Sequence, residues 1–116
     1  MMEADLNALL KTKCPRVFAD VAAEGTAAPY VTWQGIGGES LGYLDNTAAD
    51  KRHTLMQVSV WSQSRLQAST LIREIEVAMR ASQDFTATPQ GEPLSTHEPD
   101  TKLHGSIQRF LIWSLR

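Results

Sequence analysis

Hydrophobic and polar positions change period once, sharply, in the middle of the chain. In Thr54-Leu55-Met56-Gln57-Val58-Ser59-Val60-Trp61 they alternate. That pattern places Met56, Val58 and Val60 on one face of a strand, and Leu55, Gln57, Ser59 and Trp61 on the other. Beyond Ser62 the spacing becomes helical: Ala68, Leu71, Ile72, Ile75, Ala78, Met79 and Ser82 recur on one side, covering about a third of the circumference at roughly 100° per residue. Ser64 and Gln67 stand at capping-box spacing, which satisfies orphan amide donors of a first turn. No Gly or Pro interrupts the run that follows. A half-buried strand feeding the longest helix is therefore the unit around which the rest is organised.

Upstream, Glu3 to Thr12 reads as a short amphipathic helix with Met2, Leu6, Leu9 and Leu10 on one side. Acidic Glu3 and Asp5 open it and Lys11 and Lys13 close it, complementing the helix dipole. Pro15 bars continuation. Arg16-Val17-Phe18 is a short extended segment, and Val21 to Ala28 a small-residue loop around Gly25. Pro29 opens a second strand, Tyr30-Val31-Thr32-Trp33-Gln34, rich in β-branched and aromatic residues, which Gly35-Ile36-Gly37-Gly38 ends. Between Gly35 and Arg52 lie four of the seven glycines, then the turn-forming pair Asp45-Asn46. This stretch predicts a flexible hairpin arm, since an unstructured connection of that length is unusual. Its apolar residues Ile36, Leu41, Tyr43 and Leu44 are candidates for contacts made on assembly.

Downstream, Phe85-Thr86-Ala87-Thr88 reads as a short edge strand. Pro89 to Lys102 reads as a loop whose prolines exclude a central strand. The last strand, Ser106 to Leu115, carries Ile107, Arg109, Leu111 and Trp113 on one face and Phe110 and Ile112 on the other. Apolar residues on both faces place it centrally in the sheet or under a partner chain. The predicted fold is one α+β domain over residues 1–116: a mainly antiparallel sheet of about four strands with two helices packed on it.

Composition narrows the function classes. The 11 basic and 13 acidic residues leave a net charge of −2 and no concentrated patch for nucleic acid or an anionic membrane. No run approaches the roughly 20 apolar residues of a membrane span. The start, Met1-Met2-Glu3-Ala4-Asp5, lacks the apolar core of a secretory signal. The single cysteine, Cys14, allows no intrachain disulfide. The expectation is a soluble intracellular domain, or one that acts after lysis.

Few residues offer chemistry. Gly35-Ile36-Gly37-Gly38 follows a strand, but Glu39-Ser40-Leu41-Gly42 opens no helix there and no Lys-Ser or Lys-Thr pair closes a phosphate loop. His97, Glu98, Asp100 and His104 are the one dense group of potential metal ligands. The favoured reading is a solvated polar loop; the alternative is a small metal- or ligand-binding enzyme using those four residues. Cys14, beside Pro15, is expected buried as a small hydrophobe, and His53 at an edge or surface. No Gly-x-Ser-x-Gly elbow occurs. Catalytic residues, cofactor and metal are all expected to be absent.

One surface feature stands out. On the side of the long helix opposite its core face, Leu66, Thr70, Arg73 and Val77 form a line at spacings of four, three and four. Leu66 and Val77 would face water in a monomer, so the line is a candidate subunit interface, joined by the apolar arm and the two-faced last strand.

The order of these motifs carries a resemblance. A leucine-bearing helix precedes Arg16-Val17-Phe18, a Gly/Ala loop enters Pro29-Tyr30-Val31, and a Gly-rich arm leads to Met56-Gln57-Val58-Ser59-Val60-Trp61. The long helix follows, and Phe110-Leu111-Ile112-Trp113 closes the chain. The whole resembles the small tail-completion (tail-terminator or head–tail joining) family of long-tailed bacteriophages and prophages. The resemblance implies an α+β structural subunit forming a ring, typically hexameric, at the head-proximal end of the tail tube. There it would stop tube polymerisation and dock the head, with the tail-tube protein and head–tail connector proteins as partners. It implies assembly in the bacterial cytoplasm and residence in the virion tail, without enzymatic activity. An adaptor domain unrelated to phage is the remaining alternative.

Overall fold

The structure, a computed structural model, describes residues 2–23, 25–39 and 51–115. Its elements run α1 (Met2–Lys11), β1 (Val17–Ala19), β2 (Tyr30–Glu39), β3 (Lys51–Ser62), α2 (Arg65–Ala81), β4 (Thr86–Pro89), β5 (Leu94–Glu98) and β6 (Leu103–Leu115). Six strands form one sheet in the order β1-β2-β3-β6-β4, with β5 also on β6. The β1–β2 pair is parallel and the other pairs are antiparallel. The expected α+β class holds, but the sheet has six strands rather than about four, and it is mixed.

One of the two extra strands coincides with the extended segment Arg16-Val17-Phe18, and the other lies where a loop was expected. β1 is three residues long and pairs only through Val17↔Val31, Phe18↔Thr32 and Ala19↔Trp33. β5 lies inside the stretch read as a loop; Pro93 and Pro99 flank it instead of interrupting it. As an edge strand it respects the exclusion that proline imposes on central positions.

β2 also runs further than its glycines suggested. Pairing with β3 continues from Gly35↔Met56 to Gly38↔Thr54, with one extra residue on the β2 side. Gly37 takes φ 117° there, a conformation that L side chains rarely adopt, so the bulge falls where glycine permits it. Residues 35–39 and 51–52, expected to belong to a flexible arm, therefore pair within the sheet, while 40–50 lie outside the described residues. Leu41, Tyr43 and Leu44 lie outside the described residues, and Ile36 is half-buried on β2.

The core lies between the sheet and the two helices, on one face only. Met56, Val58 and Val60 are 0–1% exposed, as the alternation in β3 predicts. From α2 come Ala68, Leu71, Ile72, Ile75 and Met79, from α1 Met2, Leu6 and Leu10, and from β6 Phe110 and Ile112. Trp33 Nε1 donates to Asn7 Oδ1 at 3.1 Å, fastening α1 to β2. Cys14 is buried as expected, its thiol 3.5 Å from the Pro29 carbonyl oxygen.

The cap of α2 is a variant of the expected one. Ser64 Oγ accepts from Gln67 N at 3.3 Å. The Gln67 side chain does not return to the Ser64 amide but accepts from the buried Ser62 hydroxyl, whose oxygen in turn accepts from Ser64 N at 3.2 Å. One buried serine thus relays the box, joining the end of β3 rigidly to the start of α2.

Candidate assembly surfaces

Because both helices pack on one side, the other face of the sheet is left without a covering layer among the described residues. Register and alternation define its occupants: Tyr30 and Thr32 on β2, Leu55 and Trp61 on β3, Ile107 and Leu111 on β6. All six are only half-buried. Phe18 packs edge-on against Tyr30 with ring centroids 6.5 Å apart. Trp113, 39% exposed, stacks on His53 at 4.3 Å, and Leu94 on β5 is 68% exposed. Arg109 Nε donates to Gln57 Oε1 at 3.4 Å in the middle of the face. The face thus mixes half-buried aromatic and branched side chains with the polar pair Arg109 and Gln57, and its most exposed apolar residues are Leu94 and Trp113.

Two details give the face rigidity and charge. At Gly105 a methyl group would come within 2.8 Å of the Trp61 ring and 2.9 Å of the Thr96 methyl, so the bare glycine lets the indole lie flat on β6. The Tyr30 phenol titrates above its ordinary value of 10.0, first because burial disfavours the phenolate and second because the Glu98 carboxylate faces it.

On the far side of the molecule stands the line on α2. Leu66 is 77% and Val77 63% exposed, and Thr70 and Arg73 are exposed too, whereas Ile75 between them is fully buried. The helix is therefore phased as its periodicity predicts. The four residues do not share one environment. Leu66 and Thr70 border a groove with Lys13, Pro29 and Glu74. Arg73 borders a cleft of about 280 Å³ with Ser69, Glu76, Glu92, Ser95 and Ser106. Under that cleft the buried Gln108 donates through Nε2 to Glu76 Oε1 at 2.6 Å and to the Gly91 carbonyl at 3.1 Å. Glu76 also pairs with Arg80 at 3.5 Å, so it ties the exposed helix side to the sheet.

The dense group of potential ligands is divided by the hairpin. His97 and His104 are cross-strand partners, Glu98 alternates onto the open face toward Tyr30, and Asp100 sits in the exposed turn. Among the described residues no three His, Cys, Asp or Glu side chains gather as a metal-binding group. None of the described helices is long and apolar enough to cross a membrane.

An open sheet face and the exposed side of α2 thus lie on opposite sides of one small α+β domain. Residues 1–114 match the family described as tail completion protein gp17. The chain belongs to that family: it is a structural tail-completion protein of a phage, a component of the virion tail that interacts with other tail and head proteins. No curated protein matches it.

Proposed function

We propose that this chain is the repeating subunit of a ring, a hexamer, that assembles in the bacterial cytoplasm at the head-proximal end of the tail. The ring ends polymerisation of the tail-tube protein and presents the surface on which the head–tail connector docks. The observation that carries this reading is the pairing of an open apolar sheet face with the exposed Leu66, Thr70, Arg73 and Val77 on the opposite side. Two different patches on one subunit make a heterologous contact, which closes into a ring when its rotation permits. A self-complementary dimer would need only one. In this reading Ile36 near the end of β2, with Leu41, Tyr43 and Leu44 further along the chain, adds contacts to the neighbouring subunit or to the tube.

Electron microscopy of purified tail tubes incubated with the protein tests the proposal. The expected result is a six-fold ring at one end of each tube and no further elongation there when tube protein is added. Tubes that keep growing at both ends, with the protein bound at neither, would overturn it.

A further inference from the structure

The β5–β6 hairpin aligns two of the chain's three histidines. His97 and His104 face each other across the strands, their ring centroids 4.8 Å apart and their planes inclined by 53°. His97 is exposed and His104 half-exposed, so a solvated ion can reach both. A transition-metal ion bonded at about 2.0–2.1 Å to an imidazole nitrogen lies roughly 3.2 Å from that ring's centre. Two imidazoles that share one ion at roughly 90–110° therefore have centres about 4.5–5.2 Å apart. The observed separation already falls in that window. It is held by the strands, whose pairing runs without a register shift from Leu94↔Ile107 to Glu98↔Leu103.

We propose that His97 and His104 form a surface site for a divalent transition-metal ion of borderline softness, zinc in the first instance. Two imidazole nitrogens of this chain bind it and water fills the remaining positions. Imidazole favours zinc, nickel and copper, whereas magnesium and calcium demand oxygen ligands. Glu98 stands on the opposite face of the hairpin and no third ligand joins the pair among the described residues. The site is therefore bidentate, unlike the four-residue enzyme centre that the sequence allowed. Its effect is mechanical: β5 is an edge strand held to the sheet by β6, and an ion bridging the two histidines clips its end in place.

Calorimetric titration of the purified full-length chain with zinc, and with magnesium as control, tests the site. One zinc ion per chain is expected, with no heat from magnesium. His97→Ala and His104→Ala should each lower zinc affinity at least tenfold while melting normally, and His97→Gln provides a second variant should either melt early. His53→Ala should leave zinc affinity unchanged, because His53 pairs with Trp113, nine residues along β6 from His104 and so roughly 30 Å away by strand rise. Zinc should also slow amide exchange across Leu94–Glu98 in the parent and not in the alanine variants. Absence of zinc binding, or affinity retained in both alanine variants, would overturn the assignment. Neither result bears on the ring.

Discussion

Replacing Val77 by Asp separates folding from assembly. In the free chain Val77 is 63% exposed, so a carboxylate there stays hydrated. Its helical neighbours are Arg73 four residues before and Arg80 three residues after, pairs worth about 0.2–0.5 kcal/mol each. An acid in the last turn opposes the helix dipole by about 0.3–1 kcal/mol. These terms largely cancel, and the net change in stability should stay within about 0.5 kcal/mol. At a water-excluding subunit contact the same carboxylate must be desolvated, at about 3 kcal/mol or more unless it finds a partner. Each 1.4 kcal/mol is tenfold, so every contact should weaken by roughly a hundredfold. A head-to-tail ring repeats the substitution at each interface. The expected outcome is a variant that melts with the parent yet fails to complement a tail-completion defect, with tails of irregular length in electron micrographs. Normal tails at normal yield from a folded Val77→Asp subunit would refute the placement of this helix side at an interface, while leaving family membership untouched.

Three further outcomes follow from the same geometry. Ile75→Ala should cost about 2–5 kcal/mol in denaturant unfolding, because Ile75 is fully buried between helix and sheet, while Val77→Ala should cost well under about 1 kcal/mol; equal losses would mean that the helix is phased wrongly. Leu94→Asp, on the open sheet face at 68% exposure, should leave the melting temperature unchanged and abolish ring formation seen by sedimentation on tubes; rings of normal stability would remove this face from the contact. The raised pKa of Tyr30 gives a stabilisation fully present below the unfolded value of 10.0 and lost as pH rises through the folded one, so stability should fall on the alkaline side, and less steeply in Tyr30→Phe; identical alkaline limbs in the two proteins would contradict the burial argument.

The parts of this fold legible in the sequence are those where period and burial coincide. β3 and α2 each bury one face, so alternation in the one and helical spacing in the other survive into the structure, with only Ala78 and Ser82 of the expected inner residues left half-buried. β5 was illegible for the converse reason: Leu94, Ser95 and His97 are exposed and Thr96 and Glu98 only half-buried, leaving no apolar alternation to read. The continuation of β2 was hidden by glycines that usually end strands, because a bulge at Gly37 needs the very residue that signals a break. The candidate surfaces were half visible. Leu66 and Val77 could be placed outside from helix phase alone, and the two apolar faces of β6 hinted at a partner. That both helices settle on one side, leaving Leu55, Trp61, Ile107 and Leu111 uncovered together, depends on packing between segments distant in the chain. The histidine pair depends on a turn at 99–102 that aligns residues seven apart, a spacing with no meaning until the hairpin is known.

The open face also bears on when a ring would form. If the half-buried Phe18, Tyr30, Leu55, Trp61, Ile107 and Leu111 each lost about 40 Å² of exposed area at a contact, the gain would be roughly 6 kcal/mol at about 25 cal/mol per Å². Association itself costs about 4–15 kcal/mol in lost freedom of motion. A single contact of this kind is therefore marginal, and two free subunits should meet and part. In the proposed ring a subunit would make two such contacts and, at the end of a tube, a third with the tube protein, without paying the full cost of immobilisation again each time. Under the proposed function, subunits would stay apart in solution and close into a ring on the tube end. Completion is then confined to the place where a tail has already been built, which is the behaviour that a terminator of polymerisation requires.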